Sequence, residues 1–468
     1  MNWSAYIQEG LHLMHKGIDN LNHTIIGEDK SHRYNDHFID PKELITKTSQ
    51  TTGFSIDGEN HLPESCTNLL VTGITGSGKS STVCVKTVWQ GRHNFIINDV
   101  SGELLKLLYK RLKKLGYIIK VVNPSKPGIS SGFNPLIYVR SLSDIQKLVH
   151  HIVKNTLGYE KERFWSIQSE NIIVVICWAL MYQDMRYFTL TNVRWLLEML
   201  ETEKSDYVDN IIANSKNPEL HARYAAYLSL DNKLRSNIQV SALSCLSIFT
   251  DPKLQRVTSH DTLQLDVLQA RKDNYALFIQ CDTLDSSYYN VLTSLLIHRI
   301  ITSLYERVPE SGRRCLMLLD EFPAISAIPD IDVVVSTCRK YLCNMAFFIQ
   351  SYSQLESRYN QKIAQTIRTN CTARLYFTAG LDYETSYSLQ QELGKFSHAL
   401  DGRQTSRELK LASELRQTSS DRALLLYSNM PGTMVNLRPY YLQPLIMKDL
   451  QDNYFDLTGE LPENIPFI

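Results

Sequence analysis

The chain of 468 residues has no net charge, 49 Lys and Arg standing against 49 Asp and Glu. That balance excludes a generally basic nucleic-acid coat, but not a local basic channel, because steering depends on where charge sits. Only 21% of residues are charged, and 25 Tyr with 15 Phe exclude wholesale disorder. Long hydrophobic runs are missing. The longest, Ile172 to Met181, is about half of the roughly 20 residues a bilayer span needs and reads as a buried helix. The start, Met1-Asn2-Trp3-Ser4, lacks a basic region followed by an apolar core, so the expectation is a soluble, cytoplasmic chain. Nine scattered cysteines include no CxxC pair, which points to buried thiols in a reducing compartment rather than a disulfide framework. Thirteen His include no HExxH, which argues against zinc.

What is present has a rhythm. Residues 1–64 are polar and weakly periodic, an irregular lead-in with one helix expected over 5–16 and order beginning at Cys66. Short apolar runs at 68–72, 94–98 and 117–123 read as buried strands, and the leucine stripe over 103–115 reads as a helix. Strands alternating with helices predict an α/β fold with a parallel sheet, its first part spanning 65–140. Over 141–266 the pattern is helical with almost no strand, an all-α domain inserted in the sheet. Strand patterns resume over 267–445, at 275–280, 315–319, 346–349 and 374–378, and 446–468 forms a C-terminal tail.

The sharpest motif is Gly73-Ile74-Thr75-Gly76-Ser77-Gly78-Lys79-Ser80, followed by Ser81. It follows a strand and opens a helix, the context of a phosphate-binding loop. Its glycines turn successive backbone N–H groups into one cavity, where the helix N-terminus adds positive potential. Lys79 is placed for the β- and γ-phosphates of ATP and Ser80 for Mg²⁺, although a plain Gly-rich turn is the bland alternative. The second motif is Leu316-Met317-Leu318-Leu319-Asp320-Glu321, an acid pair at the C-terminal end of a buried strand, where ligands of open α/β sheets bind. Asp320 would orient Mg²⁺ through water and Glu321 would act as general base. Lys79 and Asp320 stand 241 positions apart, a distance the helical insertion accounts for.

Two further residues are open on physical grounds alone. Gln350, at a strand end, either positions water near the γ-phosphate or caps a turn. Arg339 is either an arginine finger offered to a neighbouring subunit or a solvated cation. The segment 398–422, with Arg403, Arg407, Lys410, Arg416 and Arg422, reads as a flexible solvated loop. In a ring it would line a channel and grip phosphate without reading sequence.

The chain resembles the type IV secretion coupling-protein ATPases, RecA-like motors that feed DNA or protein to a conjugation or secretion channel. The resemblance runs from about Thr52 to Tyr441. Beyond the two generic motifs it rests on Asp99-Val100-Ser101-Gly102-Glu103-Leu104, Phe133-Asn134-Pro135-Leu136, Phe164-Trp165, Arg339-Lys340-Tyr341, Gln350-Ser351-Tyr352-Ser353-Gln354-Leu355 and Pro439-Tyr440-Tyr441. It implies a RecA-like P-loop nucleotide-binding domain interrupted by an all-α domain, a homo-oligomeric ring of six subunits, Arg339 acting in trans and Gln350 as nucleotide sensor. It also implies a bacterial setting, with DNA, relaxase or secreted protein and the secretion channel as partners. Two departures stand out. Ser101 occupies a position usually held by Lys, and the membrane helices with which such proteins typically begin are missing. The expectation is a variant reaching the inner face of the membrane through a partner that supplies the anchor. A nucleotide-switched substrate receptor without motor activity, or a DNA pump of the HerA/FtsK kind outside secretion, would share the same motifs.

Overall fold

The computed structural model describes residues 37–41, 53–158, 163–400, 403–450, 456–461 and 464–468. The helix expected over 5–16 lies outside them.

Eleven strands are present among the described residues: β1 (Asn68–Thr72), β2 (Asn94–Asn98), β3 (Ile118–Val122), β4 (Tyr275–Ile279), β5 (Cys315–Leu319), β6 (Cys343–Ile349), β7 (Ala373–Tyr376), β8 (Lys395–Leu400), β9 (Arg403–Glu408), β10 (Arg422–Tyr427) and β11 (Thr433–Asn436). Nine form one sheet in the order β11-β10-β7-β1-β6-β5-β2-β4-β3. Seven of these run parallel, while β10 and β11 add an antiparallel edge beyond β7. Every residue of β1, β2, β4, β5 and β6 is buried. Strands covered on both faces have no solvent side to reserve for polar groups, hence their unbroken apolar runs. The pleat sends Leu69 and Val71 of β1 into one core and Leu70 into the other.

The first core is closed by α1 (Val85–Trp89), which continues a π-turn over Ser80–Cys84, and by α2 (Glu103–Lys114). The second core merges with a strand-free stretch from Leu142 to Ala270. At its centre is α3 (Arg163–Leu180), whose buried side chains include the whole apolar run from Ile172 to Leu180. Its helices start where the sequence supplies caps. Ser141, Thr189, Asn217, Asp231 and Asp251 each accept a main-chain N–H from the first turn that follows. The last helix of the stretch, α4 (Leu265–Ala270), is bracketed by two left-handed residues, Gln264 (φ 56°) and Arg271 (φ 56°). The chain then returns to the sheet through β4, α5 (Ser286–Tyr305), β5 and α6 (Ile331–Thr337).

Two expectations change. Order begins before Cys66, because Phe54, Ile56 and Leu62 of the supposed lead-in are buried in the first core and Ser55 bridges His61. The polar segment 398–422 is not a solvated loop. It completes the antiparallel hairpin of β8 and β9 and contains a short helix, Ala412–Arg416, anchored by buried Leu415. The end of the chain is tied down, Glu460 pairing with Lys120 at 2.8 Å and the Pro466 carbonyl accepting from Asn192 Nδ2 at 3.0 Å.

Candidate active site

All parallel strands present their C-terminal ends at one edge, and the sequence motifs meet there. β1 runs directly into the glycine-rich loop. Gly76 (φ 76°) and Gly78 (φ 89°) take left-handed conformations that side chains disfavour. Gly73 is required for a different reason, since a Cβ there would lie 2.7 Å from Phe377 Cβ. Lys79 Nζ donates to the loop carbonyls of Gly73 (2.6 Å) and Ile74 (2.9 Å). Burial lowers the pKa of this ammonium, against the charges of Asp320 and Glu321, which raise it. Ser77 Oγ is buried within the loop and has no hydrogen-bond partner.

Across 240 positions of sequence, Ser80 Oγ donates to Asp320 Oδ2 at 2.6 Å. Burial raises the Asp320 carboxyl above the ordinary carboxylate range, only partly countered by the Ser80 bond and the Lys79 charge. Asn98 Nδ2 holds the Asp320 carbonyl (2.7 Å), and the Glu321 N–H donates to Asp320 Oδ1 (3.1 Å). Glu321 is exposed and left-handed at φ 49°, a strained setting for a residue with a Cβ. Gln350 follows β6 directly. Its Oε1 accepts from Gln354 Nε2 at 3.4 Å. Gly76, Ser77, Gly78, Lys79, Ser80, Asp320, Glu321 and Gln350 line one open cleft of about 570 Å³, together with Thr75, Ser81 and Tyr441.

Arg339 is the one predicted site residue that the fold keeps apart. It is exposed on the short turn Cys338–Tyr341 that precedes β6, hence at the N-terminal edge of the sheet. The seven residues of β6 separate it from Gln350, about 20 Å at roughly 3.3 Å per residue. Within one subunit it does not reach the cleft.

Several cleft residues were given no role from sequence. Asp99, buried at the end of β2, accepts from the N–H groups of Leu104 (3.2 Å) and Leu105 (2.9 Å) at the start of α2 and from Gln280 Nε2 (2.9 Å). Burial raises its pKa, those three donors pulling it back. A side compartment of about 250 Å³ opens beside it, lined by Ser101, Glu103 and Tyr440 and shared with Asp320 and Glu321. Ser101, in the usual lysine position, is exposed and accepts the Glu103 N–H at 3.3 Å. Arg358 follows the cleft-lining Ser357, and its Nε donates to the carbonyl of Pro323, another lining residue, at 3.0 Å. Asp99 carried the same signal as Asp320, an acid at the end of an apolar strand; Arg358 carried none.

Comparison with known proteins identifies the family and the fold. Residues 22–435 match the family model described as type IV secretory system conjugative DNA transfer. A probable conjugal transfer protein TraG of Sinorhizobium fredii is 21% identical over 359 residues, covering 75% of this chain and 55% of that protein. Protein VirD4 of Agrobacterium fabrum is 22% identical over 338 residues, covering 70% and 49%. The chain thus spans about half the length of these relatives. Among solved structures, the bacterial conjugative coupling protein TrwBdeltaN70 superposes with a TM-score of 0.71 at 19% identity, covering 86% of this chain and 94% of that one. The plasmid coupling protein TrwB in complex with ADP and Mg²⁺ gives 0.70 at 19% identity, covering 87% and 94%. At such identities these structures establish the fold, RecA-like α/β with a P-loop. Among the described residues no helix is long and apolar enough to cross a membrane.

Proposed function

Because the chain belongs to the type IV secretory system conjugative DNA transfer family, we infer that it is an ATP-hydrolysing motor that drives DNA with its relaxase, or a protein substrate, toward a secretion channel. The observation that carries the reading is the Ser80–Asp320 contact, which joins the phosphate loop to the acid pair in one cleft. The residues suit ATP and Mg²⁺. Ser77 Oγ has no partner inside the loop, and Asp320 is a desolvated carboxylate that a cation would relieve. Ser80 and Asp320 would hold Mg²⁺, which when bound offsets phosphate charge; Lys79 and the N–H groups of Gly76, Ser77 and Gly78 would hold the phosphates.

Within this cleft Glu321 removes the proton from an attacking water. Gln350 orients that water and registers loss of the γ-phosphate. Arg339 serves the site of the next subunit, because its own lies across the sheet. That division of labour calls for a homo-oligomeric ring, by resemblance a hexamer, in which closure and opening of each interface moves substrate.

The deciding experiment measures ATP turnover with and without single- and double-stranded DNA, alongside oligomer mass. A motor gives steady turnover raised by DNA or by protein cargo. Slow hydrolysis with oligomers that merely follow nucleotide would replace the motor by a switched receptor. Mixing Arg339→Ala with Lys79→Ala subunits restores turnover if Arg339 acts in trans. An assembly left inactive by that mixture, and equally inactive as Arg358→Ala, would move the finger to Arg358 in cis.

A further inference from the structure

Outside the cleft, one buried charge has no role in the chemistry just described. Arg271 is 3% exposed, caps the C-terminus of α4 and holds a left-handed backbone. Among the described residues no carboxylate pairs with it. Its guanidinium is satisfied by main-chain carbonyls alone: Nη1 donates to Leu342 (3.2 Å) and Arg313 (3.4 Å), and Nη2 donates to Tyr341. A buried cation is tolerated only when its donors are used, and here two of the three acceptors belong to the end of the turn that carries Arg339.

That turn is held from other directions as well. The Leu342 N–H donates to the Arg339 carbonyl at 3.2 Å, with Leu342 itself left-handed at φ 48°. The Tyr341 ring stacks on Tyr305 of α5, centroids 3.8 Å apart. Cys338 Sγ donates to Asn68 Oδ1 at 3.3 Å. Arg271 differs from these supports in its origin. It sits at the end of the strand-free stretch, and the Arg313 N–H returns to its own carbonyl at 3.0 Å, fixing the cap from both sides.

We propose that Arg271 is a positioning residue that fixes the Arg339 turn for the neighbouring subunit's ATP and links the helical stretch to that turn through one side chain. The inference rests on Arg339 acting in trans. A finger must arrive in a set orientation, and an exposed arginine on a four-residue turn gains it from what grips the turn beneath. A shift of the helical stretch on substrate contact reaches α4 and, through the Arg271 fork, the presentation of Arg339.

The test uses mixed assemblies. Arg271→Ala assemblies should turn over ATP at least tenfold more slowly than the parent, with MgADP affinity in their own cleft within twofold. Adding Lys79→Ala subunits, which carry an intact Arg271 and Arg339, should restore turnover. Adding Arg339→Ala subunits should not, because neither partner then offers a well-placed finger. Equal recovery with both partners, or normal turnover by Arg271→Ala alone, overturns the proposal. Arg271→Lys serves where the alanine variant fails to fold: a single ammonium cannot span three carbonyls, so the same pattern of rescue is expected. If Arg339→Ala with Lys79→Ala gives no recovery, the trans reading fails first, and the role of Arg271 falls with it.

Discussion

At the C-terminal edge of the sheet, Asp320 and Asp99 carry carboxyls raised by burial, Glu321 is exposed and strained, and Lys79 is held only by loop carbonyls. At the N-terminal edge two polar side chains, Asn68 and Asn344, are just as buried but tightly bound. Asn68 Nδ2 donates to Val335 (2.9 Å) and Asn370 (3.2 Å), while its Oδ1 accepts from Met345 N–H (3.0 Å). Asn344 Nδ2 donates to the carbonyls of Cys66 and Thr67, and its Oδ1 accepts from Arg314. Neutral amides that donate and accept together suit a joint between segments. Charged groups left partly uncompensated suit a place where a charged ligand completes the balance. The same sheet therefore has one edge built to hold together and one built to bind.

That contrast can be broken from either side. The largest effect is expected from Glu321→Gln, which should retain nucleotide but lose about 10²–10⁴ in turnover, the range for a general base. Single-turnover hydrolysis measures it, and unimpaired turnover would remove Glu321 from that role. Lys79→Ala should lower nucleotide affinity about a hundredfold, two charge-assisted bonds being worth about 3 kcal/mol, while leaving the melting temperature of the nucleotide-free chain nearly unchanged. Asn68→Ala should do the opposite. Stranding the groups it bonds costs about 2–4 kcal/mol in denaturant unfolding, with MgADP affinity in the surviving fold close to the parent's. A cleft-edge variant that unfolds the chain, or a joint-edge variant that abolishes binding while folded, would erase the distinction.

The smallest effect concerns pH. A carboxyl whose pKa is raised by folding costs stability when ionised and stops costing it as acid protonates it. Asp320→Asn should therefore melt higher than the parent at neutral pH without nucleotide, the gap shrinking as pH falls toward the ordinary carboxylate range. The Mg²⁺-dependent stabilisation by ADP should run the other way in the parent, fading over that same fall in pH, and be missing in Asp320→Asn.

The cleft was legible because its parts announce themselves locally. Lys79 and Ser80 sit in a fixed spacing and Asp320 ends an apolar run, so strand ends alone bring them together. The sheet was legible for a related reason, since strands buried on both faces write themselves as apolar words. What failed to show was whatever depends on partners far along the chain. Phe54 and Ile56 sit in a polar context and gave no sign of reaching the core. The hairpin of β8 and β9 has no apolar alternation to reveal it, and β10 with β11 attaches as an antiparallel edge that a parallel rhythm does not foretell. Arg271 was invisible, because a lone arginine beside Lys272 looks like a surface cation until its three carbonyls are seen.

The nine cysteines are all buried free thiols, two of them (Cys177 and Cys245) in the helical stretch and the others in or beside the sheet. Burial pushes Cys66 and Cys338 up to about 12 and Cys281 to about 11, so in the folded chain they are slow to react. Each becomes a clock for the local opening that exposes it. Modification of Cys177 and Cys245 would time the breathing of the helices, and modification of Cys338 the loosening of the turn that bears Arg339. A single cysteine placed on the surface would meet almost no background, so fluorescent or cross-linking probes could follow one interface of a working assembly without first stripping the chain of its own sulfur.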